Sequence, residues 1–321
     1  MKAIRIGEYG GPEVMELREM DRPVPRADEI LVKVYASGIN PVDLVVRSGS
    51  SAALNYDLTL PMTIGWETAG TVEELGSDVT EFQKGDAVYG VPSFPGDGSY
   101  AEYVVAKASR FGLKPKNIGF NDASGIPLVA LTAWTAMFEF GKLKEGQRIL
   151  IQGAAGNVGA YAVQFAKSKG AYVIATAAAE SFDYLKEIGA DEMIDYKSRK
   201  FEELVGVVDI VLEVSSVRDN DERLKSVKVL RENGILVSVN TDFAFNDAVL
   251  RALDRKNATG ELAANQSRKE WLEEIAELVE AGKVKVLRAK MFALKDAVET
   301  HTLLENKSAS GKLALQIIEE Y

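Results

Sequence analysis

Residues 148–152, Arg-Ile-Leu-Ile-Gln, run into the turn Gly153-Ala-Ala-Gly-Asn-Val-Gly159 and then into Ala-Tyr-Ala-Val-Gln-Phe-Ala-Lys167, which has the pattern of a helix. A short apolar strand, a glycine turn and an amphipathic helix, in that order, commit this region to a strand–turn–helix unit. Glycine serves such a turn in two ways: the backbone can approach a pyrophosphate closely, and the helix can pack tightly on its strand. The helix N-terminus adds unpaired N–H groups and a partial positive charge. Gly156 and Gly159 fit the second and third glycines of the dinucleotide fingerprint, with Ala154 in the first place, and the next strand ends about twenty residues further on. Taken alone, the motif is also compatible with a plain tight turn; in this context it reads as dinucleotide binding.

The surroundings support that context. From about residue 122, strands (148–152, 172–176, 192–195, 207–214, 234–239) alternate with helical stretches (123–140, 156–169, 181–188, 218–231). This rhythm predicts a parallel sheet covered on both faces. Earlier residues read as a compact β-rich region, with strands at 30–35, 70–75 and 100–105 between Gly/Pro turns. The tail from about 266 has an amphipathic helix at 271–281, a strand near 284–291, a second helix and a closing strand at 312–318. It resumes the mixed character of the first region. A chain of 321 residues exceeds the ~250–300 that one core usually serves. Two domains are therefore expected, residues 1–121 with 266–321 and residues 122–265.

Composition narrows the chemistry. A net charge of −10 leaves no basic field to recruit nucleic acid or an anionic membrane, and the pair Arg199-Lys200 is slight support for RNA binding. With no cysteine, disulfides, thiolate catalysis and thiolate zinc sites are excluded. The single histidine, His301, reads as an exposed position on the last helix and nearly rules out a histidine metal cage. There is no apolar signal core or membrane-length run, so a cytoplasmic protein is expected. The second strand of the parallel sheet ends Thr176-Ala177-Ala-Ala, with no acid before Glu180. An acid at that tip would bind ribose hydroxyls and repel a 2′-phosphate; small neutral residues leave room for one. Tyr196 and Lys197, after the next strand, offer a hydroxyl and a cation, or else belong to a solvated loop. NADPH is favoured, with NADH left open.

Gly38-Ile-Asn-Pro-Val-Asp43, Gly65-Trp-Glu-Thr-Ala-Gly70, Lys84-Gly-Asp-Ala-Val-Tyr-Gly90, Leu131-Thr-Ala133 and the glycine turn occur in order, followed by Gly189-Ala-Asp191 and Ser310-Gly-Lys312. Through these motifs, over nearly its full length, the chain resembles the zinc-independent quinone oxidoreductases, similar to zeta-crystallin, of the medium-chain dehydrogenase/reductase superfamily. The resemblance implies an α/β fold: a GroES-like β-rich catalytic domain plus a Rossmann domain with a doubly wound parallel sheet, NADPH lying in the cleft between them. It further implies reduction of quinones or activated alkenes and a homodimer, for which the strand at 234–239, near the sheet edge, is a candidate interface.

The superfamily's zinc alcohol dehydrogenases have a Cys where this chain has Asn40 and a His where it has Trp66, and Glu67 alone cannot hold zinc. Without a Lewis acid, a quinone or an enal is a more plausible acceptor than a simple alcohol is a donor. By position, the resemblance puts Asn40 and Asp43 near the nicotinamide and the acceptor, Asn40 donating to a developing oxyanion and Asp43 orienting a hydroxyl or water. A carboxylate beside an oxyanion helps only if protonated. Asn40-Pro41 also makes a turn with Asp43 capping the next segment, and the two readings are compatible. Cofactor contacts fall to Thr132, Ala155, Gly156, Asn157, Val158, Gly159, Thr176, Ala177, Tyr196, Lys197, Val214, Ser215 and Lys312. Tyr56, Trp66 and Tyr89 are expected to wall the acceptor pocket. Three departures from the family stand out: Ser181 in place of a lysine, Ser215-Ser216 in place of a glycine pair, and no tyrosine directly after Ser48-Gly49, which leaves Tyr56 as its substitute. A non-catalytic NADPH-binding sensor or structural protein is the alternative function.

Overall fold

The computed structural model describes residues 1–50, 58–308 and 311–318. The chain forms two compact units. One comprises Met1–Leu128, Ser267–Ala281 and the chain from Val286 on; the other comprises Val129–Gln266 and Gly282–Lys285.

The first unit opens with β1 (Lys2–Ile6), flanked by β2 (Met15–Glu19) and β4 (Met62–Thr63) in a small antiparallel sheet. The strand β3 (Glu29–Ile39) runs longer than the 30–35 stretch suggests. It pairs antiparallel with β5 (Thr68–Leu75) and with β7 (Tyr103–Lys107), while β6 (Ala87–Gly90) and β8 (Phe111–Leu113) extend the sheet beyond β5. Alternation decides the buried face: Ile30, Val32 and Val34 point into a core with Val72, Val88, Val104 and Phe111. Each such fully buried side chain contributes roughly 1.5–3 kcal/mol of transfer free energy. β3 leads directly into α1 (Pro41–Arg47), with Asn40 at the N-cap and Pro41 in the first turn, a placement that suits proline's fixed φ and missing N–H. The single helix expected at 123–140 is divided into α2 (Phe120–Ala123), α3 (Pro127–Trp134) and a π-helical turn, Thr135–Phe140.

In the second unit, β9 (Arg148–Gln152), α4 (Asn157–Ser168), β10 (Tyr172–Ala177), α5 (Phe182–Glu187), β11 (Glu192–Asp195), α6 (Phe201–Leu204), β12 (Val208–Glu213), α7 (Asn220–Val229), β13 (Leu230–Ser238), α8 (Asp247–Asp254) and β14 (Thr259–Leu262) follow in turn. All six strands are parallel, in the order β11-β10-β9-β12-β13-β14. That is the doubly wound dinucleotide order, in which the chain reverses direction between its first and fourth strands. The near-continuous apolar strands are the signature of burial on both faces. Leu150, Ile174, Val211 and Leu236 form the middle of this core. β13 is not the sheet edge; β14 lies outside it.

The chain then returns to the first unit with α9 (Lys269–Glu280), β15 (Ala289–Ala293), α10 (Ala297–Glu305) and β16 (Lys312–Gln316). β16 pairs antiparallel with β3, Leu313 opposite Ile39, and completes the order β15-β16-β3-β5-β6-β8. Among the described residues, no helix is long and apolar enough to cross a membrane.

Candidate active site

A cavity of about 820 Å³ opens in the second unit where β9 and β12 end. Gly153 leaves β9 with φ +83°, a left-handed conformation that a side chain would strain. A Cβ there would also come within 2.8 Å of the Ser215 backbone. This glycine, rather than Ala154, makes the tight turn; Ala154 is packed in the core. A Cβ on Gly159 would lie 2.7 Å from the Ala154 Cα, so only glycine lets α4 approach its strand, whereas a Cβ on Gly156 would make only an ordinary contact, 3.4 Å from the Gly153 carbonyl oxygen. The first helical bond of α4 runs from the Ala160 N–H to the Gly156 carbonyl, which leaves the N–H groups of Asn157 and Val158 at the helix mouth. Gly153, Ala155, Gly156, Thr176, Ala177, Val214 and Ser215 line the cavity. The geometry fits a pyrophosphate-bearing cofactor: a backbone cradle that side chains would block, under a helix N-terminus.

The ribose end departs from expectation. Lys197 does not line the cavity; it reaches Glu180 at 2.9 Å across the surface. Asp195 holds a tight turn, accepting from the Lys197 N–H at 3.0 Å and the Ser198 hydroxyl at 2.7 Å. The turn carries Arg199 and Lys200 round to the cavity wall beside Tyr196 and Ser181. Glu213, also on the wall, is committed to Arg223 at 2.9 Å and Asn240 at 2.9 Å. Asn240 in addition donates to the Ser215 carbonyl at 3.0 Å, so the serine pair in place of glycines is a pinned loop. Thr132, on α3, accepts from the Asn265 side chain at 3.0 Å and is not part of the cavity wall.

The first unit holds a buried polar cluster. Lys312, fully enclosed, forms an ion pair with Glu67 at 2.5 Å and donates to Asn40 Oδ1 at 2.7 Å and to the Ile39 carbonyl at 3.2 Å. This fixes the Asn40 amide: Oδ1 faces the ammonium, and Nδ2 donates to Glu67 Oε2 at 2.9 Å, leaving one N–H of the two. Glu67 Oε1 accepts from the Leu128 N–H at 2.7 Å. The ammonium of Lys312, an expected cofactor contact, is ringed by these first-unit oxygens. Asp43, completely buried, reaches back to the Asn40 N–H at 2.8 Å; it therefore closes a capping box from the third position of α1, with Asn40 as the N-cap, rather than capping the segment after it. Its Oδ2 also accepts from the Tyr100 hydroxyl at 2.9 Å. Oδ1 has no hydrogen-bond partner among the described residues. Burial pushes the Asp43 carboxyl up to about 7, against the opposing pull of these donors.

His301 is not exposed. It is enclosed on α10, with Nδ1 3.0 Å from Arg47 Nη1 and Nε2 3.3 Å from the Tyr100 oxygen. Burial, reinforced by Arg47, holds its imidazole down at about 3. Tyr89 belongs to the core: it is fully buried and its hydroxyl donates to the Leu272 carbonyl at 2.5 Å. Trp66 is buried edge-on to Phe94, with ring centroids 5.0 Å apart, and its indole N–H has no partner among the described residues. Tyr56 lies outside the described residues.

Two family models match the chain: an alcohol dehydrogenase GroES-like domain over residues 26–116 and a zinc-binding dehydrogenase model over residues 188–315. The solved structure of the quinone oxidoreductase from Coxiella burnetii superposes with TM-score 0.87 and 34% identity, covering 99% of both chains. The chain belongs to the quinone oxidoreductase family of medium-chain dehydrogenases/reductases. A family structure from Escherichia coli, complexed with NADPH, covers 98% of this chain and 100% of its own at TM-score 0.84 and 30% identity. The tomato (Solanum lycopersicum) 2-methylene-furan-3-one reductase is 33% identical over 99% of this chain and 79% of its own. This quinone oxidoreductase relative is thus an oxidoreductase using a nicotinamide cofactor, and its residues do not fit the metal in the second model's name. An amide and an indole stand at positions 40 and 66, and both Glu67 oxygens are taken by Lys312, Asn40 and Leu128. Among the described residues, no three His, Cys, Asp or Glu side chains gather as a metal site.

Proposed function

We propose that this protein is an NADPH-dependent reductase of quinones or activated alkenes (enals and enones), working by hydride transfer without a metal. The observation that carries the reading is the cavity at the glycine turn: an anion cradle, no acid at the tip of β10, and, among the four basic residues of the wall, Arg199 and Lys200, the latter paired with Glu203 at 3.1 Å. A 2′-phosphate would meet those cations together with the Ser181 and Tyr196 hydroxyls. The E. coli relative complexed with NADPH supports the same cofactor, and the name of the tomato reductase supports an activated-alkene acceptor.

A nicotinamide cofactor held at the glycine turn would supply the hydride when bound. What the chain's residues add is charge control at the acceptor. Asn40, its amide locked by Lys312 and Glu67, keeps one N–H to donate to an oxyanion. Asp43 holds a proton below about pH 7, and Oδ1, without a hydrogen-bond partner among the described residues, gives it to the reduced acceptor; the carboxylate left behind regains a proton from water. With Glu67 and Asn40 tied to an ammonium rather than a Lewis acid, the acceptor must be electron-poor already.

A consumption screen of NADPH against NADH across quinones, enals and enones tests the reading. Turnover that favours NADPH and ignores chelators is expected; turnover of simple alcohols that needs zinc would overturn it. Asp43→Asn is expected to lower kcat at least tenfold, as for loss of a general acid, while leaving NADPH affinity unchanged. We also propose a homodimer, supported by the open edge of β14; light scattering giving only monomer mass would refute it.

A further inference from the structure

Three side chains of the first unit that the mechanism above does not use form a directed chain ending on Asp43. Arg47 ends α1, Tyr100 precedes β7, and His301 lies on α10. Arginine can only donate, so the 3.0 Å contact makes His301 Nδ1 the acceptor. The neutral imidazole then carries its proton on Nε2 and points it at the Tyr100 oxygen, 3.3 Å away. The Tyr100 hydroxyl, so engaged, directs its own proton to Asp43 Oδ2 at 2.9 Å. Behind the chain, Arg47 is enclosed, with its Nε on the Gly10 carbonyl at 3.2 Å and Nη2 on Glu305, whose side chain reaches the surface. Each link therefore has one permitted direction, and all point at a single oxygen.

We infer that Tyr100 and His301 are positioning residues for Asp43: the donor chain from Arg47, together with the Asn40 N–H at 2.8 Å, saturates Oδ2 and so leaves Oδ1 as the oxygen that carries and releases the proton. The chain is not a proton wire. Its source is a guanidinium that cannot give up a proton, so the relay cannot be reloaded from that end. Its effect is orientation and charge balance, with a cation felt by the carboxyl through two neutral groups. The inference deepens the proposed role of Asp43 and rests on it for its catalytic consequence. The groups facing Asp43 are Tyr100, Glu67 and Lys312; those facing His301 are Arg47, with Glu305 behind it, and Tyr100.

Because His301 is the only histidine in the chain, its imidazole is a unique spectroscopic probe. Nitrogen-15 NMR of the full-length protein should show the neutral Nε2–H tautomer, unchanged from pH 5 to pH 9, a range chosen about the ordinary histidine value. The Nδ1–H tautomer, or titration near the ordinary value, would overturn the inference whatever the enzyme does.

The kinetic arm uses Tyr100→Phe, His301→Leu and His301→Gln, each first checked for NADPH binding. Loss of the hydrogen bond to Oδ2 raises the carboxyl, so in Tyr100→Phe the alkaline limb of the kcat profile should move up by about one pH unit. His301→Leu should lower kcat about tenfold with the KM for NADPH unchanged, and His301→Gln, which keeps a donor and an acceptor, should recover to within about threefold. Wild-type profiles in folded Tyr100→Phe and His301→Leu, alongside an inactive Asp43→Asn, would sink the donor chain alone. An active Asp43→Asn would sink the role of Asp43 and leave the NMR result to decide the chain.

Discussion

Arg199 lines the cavity proposed for NADPH, where it is proposed to meet the 2′-phosphate, and the reason it faces that way is local. Asp195 ties down the backbone of Lys197 and the hydroxyl of Ser198, which turns Lys197 outward to Glu180 and Arg199 inward. A charge-assisted hydrogen bond is worth about 1.5–3 kcal/mol. Arg199→Ala should therefore raise the KM for NADPH roughly ten- to a hundredfold and leave that for NADH unchanged; steady-state kinetics with both cofactors checks this. In the sequence, a basic residue after β11 was legible, but which one was not, because an aspartate-held turn reorders what faces a cavity. His301 was misread for a related reason. The buried stripe of α10 is Ala297, Thr300 and His301, at helical spacing but without one large apolar residue to mark it. By contrast, the covering of Asn40 and Asp43 follows from their place at the start of α1, immediately after a fully buried strand end.

Elements were legible where two signals agreed. The strand–glycine–helix unit at β9 and α4 combines an apolar run, a turn and a helical period, and it falls within a residue or two of expectation. β3 was foreshortened because Ala36-Ser37-Gly38-Ile39 looks like a turn. Gly38 is there for contact: a Cβ would come within 2.6 Å of the Ser124 carbonyl. The broken helix around 123–140 was invisible because an apolar stretch carries the same helical pattern through Ser124 and Gly125. At this scale the sharpest test is Gly159→Ala. The added methyl has no room against Ala154, and overpacking of this kind costs about 1–3 kcal/mol. A lower melting temperature is expected, together with weaker NADPH binding by calorimetry as α4 is pushed from its strand. A variant with unchanged melting and affinity would show that the close approach is dispensable.

For the molecule as a whole, two buried groups set opposing dependences of stability on pH. His301 is held down at about 3 from 6.5; its contribution is complete above 6.5 and is lost as pH falls toward 3, because only the unfolded chain takes up the proton. Asp43 is raised to about 7 from 3.8; its contribution is present below 3.8 and is lost as pH rises through 7, because only the folded chain keeps the proton. Between roughly pH 4 and 6.5 the two slopes cancel, each on the order of 1.4 kcal/mol per pH unit. Single variants should unmask them in urea unfolding. Relative to wild type, Asp43→Asn should gain stability as pH rises through that window, and His301→Gln should lose it. Parallel curves for all three proteins would refute the paired account. The parallel sheet was readable from alternation, but this balance was not, since it depends on which polar residues the fold encloses.

The enclosure of His301 has a chemical corollary. Quinones and enals are soft electrophiles that add to thiols and imidazoles. A chain with no cysteine and its one imidazole sealed in the interior offers neither adduct site to the compounds it is proposed to reduce. After repeated turnover in a high load of alkylating substrate, mass spectrometry should therefore find no thiol or imidazole adduct on the chain.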